Sequence, residues 1–412
     1  MIQEKLNVKA TLLLSFGFFG SSLVWSVYNA YVPLMLRDTF LLSAFVVGIV
    51  MSIDNFFGVI FQPLFGSLSD KTRTRFGRRL PYMYICMPIC ALLFVFVPVM
   101  NKMDKTSDLW AFMGVLIMFT FVMSIWRTPA VSLMPDLTPG PLRSKANGIV
   151  NLMGGVAAII AFAGGGFLFE LGGFALPFQI SAAILIASMA VLAFFVREPE
   201  LPAKIEKKAK EAKVALEAKE KKSLILILFA IFFWFAGYNA VETFFTSYAT
   251  DAMNVSPGQA AMMLSLFALA LVVFAIPAGT IGDKVGRRKT ILCGLLGITC
   301  MFLPLMFVTN ANLARILLII SGMFWACVNI NSLPMIVRIA GPLKIGTFIG
   351  YYYLFSFSSQ IITAPVYGAI YDLVGHYQSL FLYAAITFSI AFVCLFFVKH
   401  GEDNVEAANP SP

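Results

Sequence analysis

Apolar stretches long enough to cross a bilayer, about 20 residues each, recur from one end of this chain to the other. They fall near residues 11–36, 43–69, 79–100, 109–133, 145–170 and 175–196, then 223–250, 257–281, 289–308, 313–337, 344–371 and 378–399. The runs are long and do not alternate apolar with polar, so they fit helices rather than barrel strands. The composition agrees: 59% of the 412 residues are hydrophobic and 12% are charged, against about 25% charged in a soluble domain. The expected fold class is all-α and integral to a membrane, with twelve transmembrane helices.

Basic residues give the orientation. With the N-terminus inside, the inner loops hold Lys71, Arg73, Arg75, Arg78 and Arg79, then Arg143, Lys145, Lys284, Arg287 and Arg288, while the outer loops hold Arg37, Lys102, Lys105 and Arg315. This positive-inside bias places both termini in the cytoplasm and the protein in the cell (inner or plasma) membrane. The net charge of +9 then reports topology, not nucleic-acid binding. The first apolar run is too long for a cleavable signal and lacks a small-residue cleavage site, so no cleavage is expected. All six cysteines fall within spans, without zinc spacing or a disulfide context, and read as small buried apolar residues. His376 and His400 form no catalytic or metal constellation, and no nucleotide-binding glycine loop is present. The chain therefore does not read as an enzyme, and no cofactor, metal or direct ATP drive is expected.

One loop occurs twice. GSLSDKTRTRFGRR at 66–79 and GTIGDKVGRR at 279–288 each run glycine, three residues, aspartate, a basic stretch and Gly-Arg-Arg, and each joins two apolar segments. A recurrence roughly 210 residues apart implies a duplicated bundle, and duplicated membrane bundles are chiefly transporters. Weaker echoes keep the same order: Trp126 and Pro135 against Trp325 and Pro334, and GFLFE at 166–170 against GAIYD at 368–372. The one long polar interval, 197–222, contains Pro199 and Pro202 and an Ala/Glu/Lys run that reads as a solvated helical tether. The expected organisation is a six-helix bundle over 1–196, a cytoplasmic linker over 197–222, a second six-helix bundle over 223–400 and a flexible tail over 401–412. Attraction of the linker to anionic lipid or a partner is the alternative to a plain tether.

DKVGRR at 283–288 resembles the signature loop of the major facilitator superfamily, which joins helices 2 and 3 and recurs between helices 8 and 9. The longer first copy, QPLFGSLSDKTRTRFGRRLPY at 62–82, is similar to the form in sucrose transporters and in the glycoside–pentoside–hexuronide cation symporters, as is SLMPDLTPGPLRSKANG at 132–148. The resemblance covers nearly the whole chain. It implies alternating access between two bundles, with the first helix of each triplet lining the cavity. It also gives Gly66, Asp70, Gly77, Arg78, Arg79, Asp283, Gly286, Arg287 and Arg288 a conformational gating role. Glycine at 66 and 279 lets two helices approach closely, and the aspartates sit among arginines able to bind carboxylates in bidentate fashion. Enforcement of topology alone is the plainer reading of those arginines. One departure concerns the coupling ion: sodium-coupled relatives carry aspartates where this chain has Gln62 and Gly58, which favours protons.

Three ionisable residues sit at mid-span: Asp54, Arg127 and Glu242. A charge at the bilayer centre costs roughly 2.5–3.5 kcal/mol even on permissive scales, so such residues usually face a wet cavity. Asp54 and Arg127 fall in the same half and suit a buried pair. Glu242 has no obvious basic partner within a span and is the first candidate for proton coupling, with Asp54 the second; a structural ion pair or a snorkelling surface charge is the alternative for each. Spans 1, 4, 7 and 10 also hold Tyr28, Asn29, Asn239, Asn329 and one tryptophan apiece, Trp25, Trp126, Trp234 and Trp325. Span 11 adds Gln360. Indole offers a flat apolar face and amides offer hydrogen bonds, a combination suited to a sugar; plain packing residues are the alternative. The expected function is proton-coupled symport of a disaccharide or related glycoside, by a monomer that takes sugar, protons and the lipid bilayer as partners. The second reading is a proton-driven exporter of a lipophilic or drug-like compound on the same fold.

Overall fold

The computed structural model describes residues 6–100, 106–139, 142–198, 218–340 and 345–398. The greater part of the expected linker and the whole of the expected tail lie outside the described residues. Ala218 to Lys222, expected within the linker, instead form the first turn of a long helix. Twelve long helices follow one another: α1 (Phe16–Asp38), α2 (Ala44–Lys71), α3 (Leu80–Met100), α4 (Thr106–Leu137), α5, α6 (Ala175–Phe195), α7 (Ala218–Met253), α8 (Pro257–Val285), α9 (Arg287–Leu305), α10 (Ala311–Ala340), α11 (Ile345–Val374) and α12 (Ser379–Phe396). α5 runs from Arg143–Ile159 through a π-helical turn, Ile160–Gly164, into Gly165–Gly172. Ten of these helices have the length and apolarity to cross a membrane unaided; α1 does so together with the short helix Val8–Leu14, from which it bends by 42°.

Packing within each half follows one plan. α1 packs on α6, α2 on α4, α3 on α4 and α3 on α6; correspondingly α7 packs on α12, α8 on α10, α9 on α10 and α9 on α12. Between the halves, α2 lies along α11, α5 along α8 and α1 against α7. In lipid, helices gain little from apolar burial alone and associate by close packing of small residues and by hydrogen bonds. The chain uses both. A methyl on Gly294 would sit 2.8 Å from the Phe324 carbonyl oxygen, bringing α9 against α10. Asn331 on α10 donates to the carbonyl oxygens of Ala278 and Cys327, both at 3.0 Å, and the Gly282 backbone of α8 lies directly against its side chain.

Two sequence expectations change at this level. Cys86 and Cys90 are buried, but Cys293 and Cys300 are exposed on α9. A peripheral helix meets lipid there, and an apolar thiol has no reason to hide from lipid. Close approach at the signature glycines holds for Gly66, where a methyl would come within 3.1 Å of Thr128; at Gly279 it would make only an ordinary 3.5 Å contact with Ile330. Gly282, one turn further on, provides the close approach in the second half. Gly282→Ala is expected to lower stability by about 1–3 kcal/mol through overpacking, read as a lower Tm in detergent, whereas Gly114→Ala, with open space around it, leaves Tm unchanged.

Candidate substrate and coupling site

Mid-depth charges from both halves meet near the centre. Asp54 on α2 is buried, and Asn55 donates to its Oδ1 at 3.0 Å. Arg127 on α4 and Glu242 on α7 are half-buried. Arg127 interacts electrostatically with both carboxylates, and the two carboxylates repel one another. No ion-pair contact joins the three, so the expected buried Asp54–Arg127 pair is a charge interaction across a gap. Glu242, expected to lack a basic partner, shares Arg127 from the opposite half. The sequence could not reveal this, because the partner lies 115 positions away, on the other bundle.

Aromatic rings carry these charges. The Arg127 guanidinium lies over the Trp25 ring at 5.6 Å, and Trp25 stacks on Tyr28 at 5.3 Å. In the other half the Tyr238 hydroxyl interacts with Glu242, and Tyr238 stacks on Trp325 at 4.7 Å with the rings 3° from parallel. Tyr238 was not among the residues singled out. The signal for it was present: Tyr-Asn-Ala occurs at 28–30 and again at 238–240.

The four tryptophans do not form one surface. Trp25 is partly exposed. Trp126, Trp234 and Trp325 are fully buried. Trp126 donates its N–H to the Cys90 sulfur at 3.4 Å, which ties its ring to the packing of α3 on α4. Trp234 Nε1 and Asn239 Nδ2 are buried without a hydrogen-bond partner in the protein, which leaves both donors unused. Asn29 is buried, and Asn329 and Gln360 are half-buried. Gln62 folds back against Gly58 on its own helix.

The two signature loops share backbone geometry but differ in partners. Gly77 (φ 102°) and Gly286 (φ 106°) both occupy the left-handed region, which explains glycine before each Arg-Arg. In the first loop Arg79 is 5% exposed; it pairs with Asp70, and its Nε donates to Asp136 on α4 at 2.9 Å. Arg78 pairs with Asp136 at 2.6 Å. Glu198, following α6, accepts from the backbone N–H groups of Arg78, Arg79 and Leu80 at 2.8, 2.8 and 2.7 Å, capping the start of α3. Neither Asp136 nor Glu198 was singled out from the sequence. In the second loop Arg287 pairs with Asp283 one turn away, and Arg288 donates to the carbonyl oxygens of Leu395 and Phe396 at the end of α12. Both networks stay within their own half.

These features accompany a match to the family profile described as Major Facilitator Superfamily, over residues 14–256 and 227–411. The chain belongs to the Major Facilitator Superfamily. The aligned stretch spans 60% of one curated relative and 26% of another. Among curated relatives the chain is 24% identical over 304 residues to an isoprimeverose transporter of Lactiplantibacillus pentosus, covering 68% of this chain and 60% of that protein. It is 23% identical over 314 residues to the multidrug resistance protein MdtG of Salmonella schwarzengrund, covering 74% of each. In fold it resembles the nucleoside transporter NupG, with a TM-score of 0.72 and 13% identity over 95% of this chain and 100% of that one.

This superfamily member joins its halves at the face opposite the signature loops. There Arg37 of α1 pairs with Asp251 of α7 at 3.1 Å and lies over the Tyr377 ring. Burial pushes the Tyr377 hydroxyl up to about 12, so it stays neutral beneath the guanidinium. Ser52 on α2 donates to the Ile361 carbonyl oxygen on α11 at 2.8 Å. Among the described residues, no hydrogen bond or ion pair joins the halves at the signature-loop face. The difference between the loops has a measurable consequence. Asp136→Asn strips a charged partner from buried Arg79 and is expected to cost about 1–3 kcal/mol. Asp283→Asn breaks a solvated one-turn pair and is expected to cost less than about 0.5 kcal/mol. Thermal melts of the two variants in detergent compare them directly.

Proposed function

We propose that this protein is a secondary active transporter that carries a sugar, a disaccharide or related glycoside, together with protons, by alternating access. The observation that carries the reading is Arg127 of the N-terminal half held between Asp54 of its own half and Glu242 of the other. Ionised Glu242 attracts Arg127 and draws the halves together at mid-depth; protonation removes that attraction. The occupancy of one proton thus biases the balance between two arrangements of the bundles. Substrate sits among these three groups beside Trp25, with hydroxyls on the guanidinium and carboxylates. Asn29, Asn239, Asn329 and Gln360 supply further polar contacts, and the unused Trp234 and Asn239 donors suit a hydroxylated ligand. The isoprimeverose transporter among its relatives supports a sugar as cargo.

With positive charge inside, both termini and the signature loops face the cytoplasm of the cell membrane. The far face, closed by contacts between the halves, is then the outer one. The paired loops act as gates within each half, holding the ends of α2, α4 and α3 as one body while the halves rock. Proton-driven export of a lipophilic compound is the second reading, and the equal coverage of chain and relative in the match to MdtG favours it.

Counterflow of labelled sugars into proteoliposomes tests the assignment. A glycoside is expected to exchange, and exchange of a lipophilic cation with no sugar exchange replaces symport with export. Glu242→Gln is expected to keep counterflow while abolishing accumulation driven by an imposed pH gradient. Undiminished accumulation in that variant removes Glu242 from coupling.

A further inference from the structure

Two acidic residues that belong to neither the central site nor the signature loops hold the far face shut. Asp372, in the last turn of α11, accepts from the backbone N–H groups of Ala44 and Phe45 at 2.9 Å each. Those are the first residues of α2, in the opposite half. Glu170, in the last turn of α5, accepts from the Ser256 hydroxyl, and its carboxylate lies over Gly258 in the first turn of α8, again in the opposite half.

The two contacts occupy equivalent places in the two halves, although Asp372 accepts from backbone N–H groups and Glu170 from a serine hydroxyl. Each acid ends the echoed segment, GFLFE or GAIYD, four residues after a glycine. A methyl on Gly166 would sit 2.5 Å from the Gly258 carbonyl oxygen, and one on Gly368 would collide with the Ala44 carbonyl. Each helix then ends on a left-handed glycine whose N–H donates 2.7 Å to the residue before the acid: Gly173 to Phe169 and Gly375 to Tyr371. The receiving helices match as well. Ser43 and Ser256 are their N-caps. Two residues before each serine stand Leu41 and Asn254, the non-glycine residues with positive φ among those described. Sequence echo, helix end, glycine approach and receiving turn all repeat under exchange of the two halves.

We infer that Glu170 and Asp372 are a pseudo-symmetric pair of positioning residues for the transport cycle, each clamping its helix end to the N-terminus of a helix in the other half and thereby holding the far face closed. A carboxylate at a helix N-terminus is stabilised by unpaired N–H groups and by the helix dipole. That stabilisation exists only while the far face is closed, because rocking the halves separates α11 from α2 and α5 from α8. The clamp therefore weights one state of the cycle and not the other. It rests on alternating access and not on the identity of the cargo.

Inter-half distances test this in the full-length protein with its native cysteines replaced. One spin-label pair sits at the far face, at positions 110 and 307, and one at the signature-loop face, at positions 75 and 284. Glu170→Gln and Asp372→Asn are each expected to shift the ratio of far-open to far-closed populations roughly fivefold. The double variant shifts it further than either alone, because the sites are separate. Support requires lengthening at the far face together with shortening at the loop face. Unchanged distances in the double variant overturn the proposal, as does far-face lengthening without loop-face shortening, which would mean loosened packing. If an acid-neutralised variant fails to fold, Ser256→Ala, which removes the hydroxyl bonded to Glu170 and keeps both acids, is read with the same pairs.

Discussion

An ionised side chain at mid-membrane must find its counter-charge inside the protein, because lipid offers none. In this protein that requirement binds Asp54, Arg127 and Glu242 into one electrostatic set reaching across both bundles. The helices that bear them, α2, α4 and α7, cannot be arranged independently of one another. Trp25 and Tyr238 stand beside the charges as rigid aromatic supports, each stacked on a second ring. The closure of the far face fits a set whose charges interact across the halves without an ion-pair contact.

The duplicated architecture places different work on equivalent positions. The first signature loop is tied to Asp136 and Glu198, and the second is tied mainly to the carbonyl ends of α12. Their shared glycine geometry is therefore not a shared network. At the far face the carboxylates that end α5 and α11 occupy equivalent places, each at the start of a helix in the other half, one on backbone N–H groups and one on the N-cap hydroxyl. Symmetry is kept in the helix packing and in the placing of Glu170 and Asp372, and lost in the partners of the signature loops and of Arg37.

Much of this was readable in the chain. Twelve apolar runs, the twice-occurring loop and the broken run of charge after the sixth span gave the bundle plan, because a lipid-facing helix must be apolar along a length set by the bilayer. The three mid-span charges were legible for the same reason. The place of Trp126 was not legible, because burial and cavity lining impose the same apolar, aromatic composition on a helix. Its N–H on Cys90 is a fact of packing between α3 and α4. Asp136 and Glu198 were passed over because a polar residue near a span end looks like ordinary surface until its partner is in view; Tyr238, at mid-span, was marked by the Tyr-Asn-Ala repeat alone.

The sequence by itself determined the class of molecule, the number of spans and the side on which basic charge gathers, since these depend on local hydrophobicity and on loop composition. Only the tertiary structure decided which charges meet across the halves, which face is closed and which carboxylates close it. Those outcomes rest on contacts between residues far apart in the chain, such as Asp372 with Ala44 and Glu170 with Ser256. Their geometry is set by how two bundles pack, a quantity no local pattern encodes.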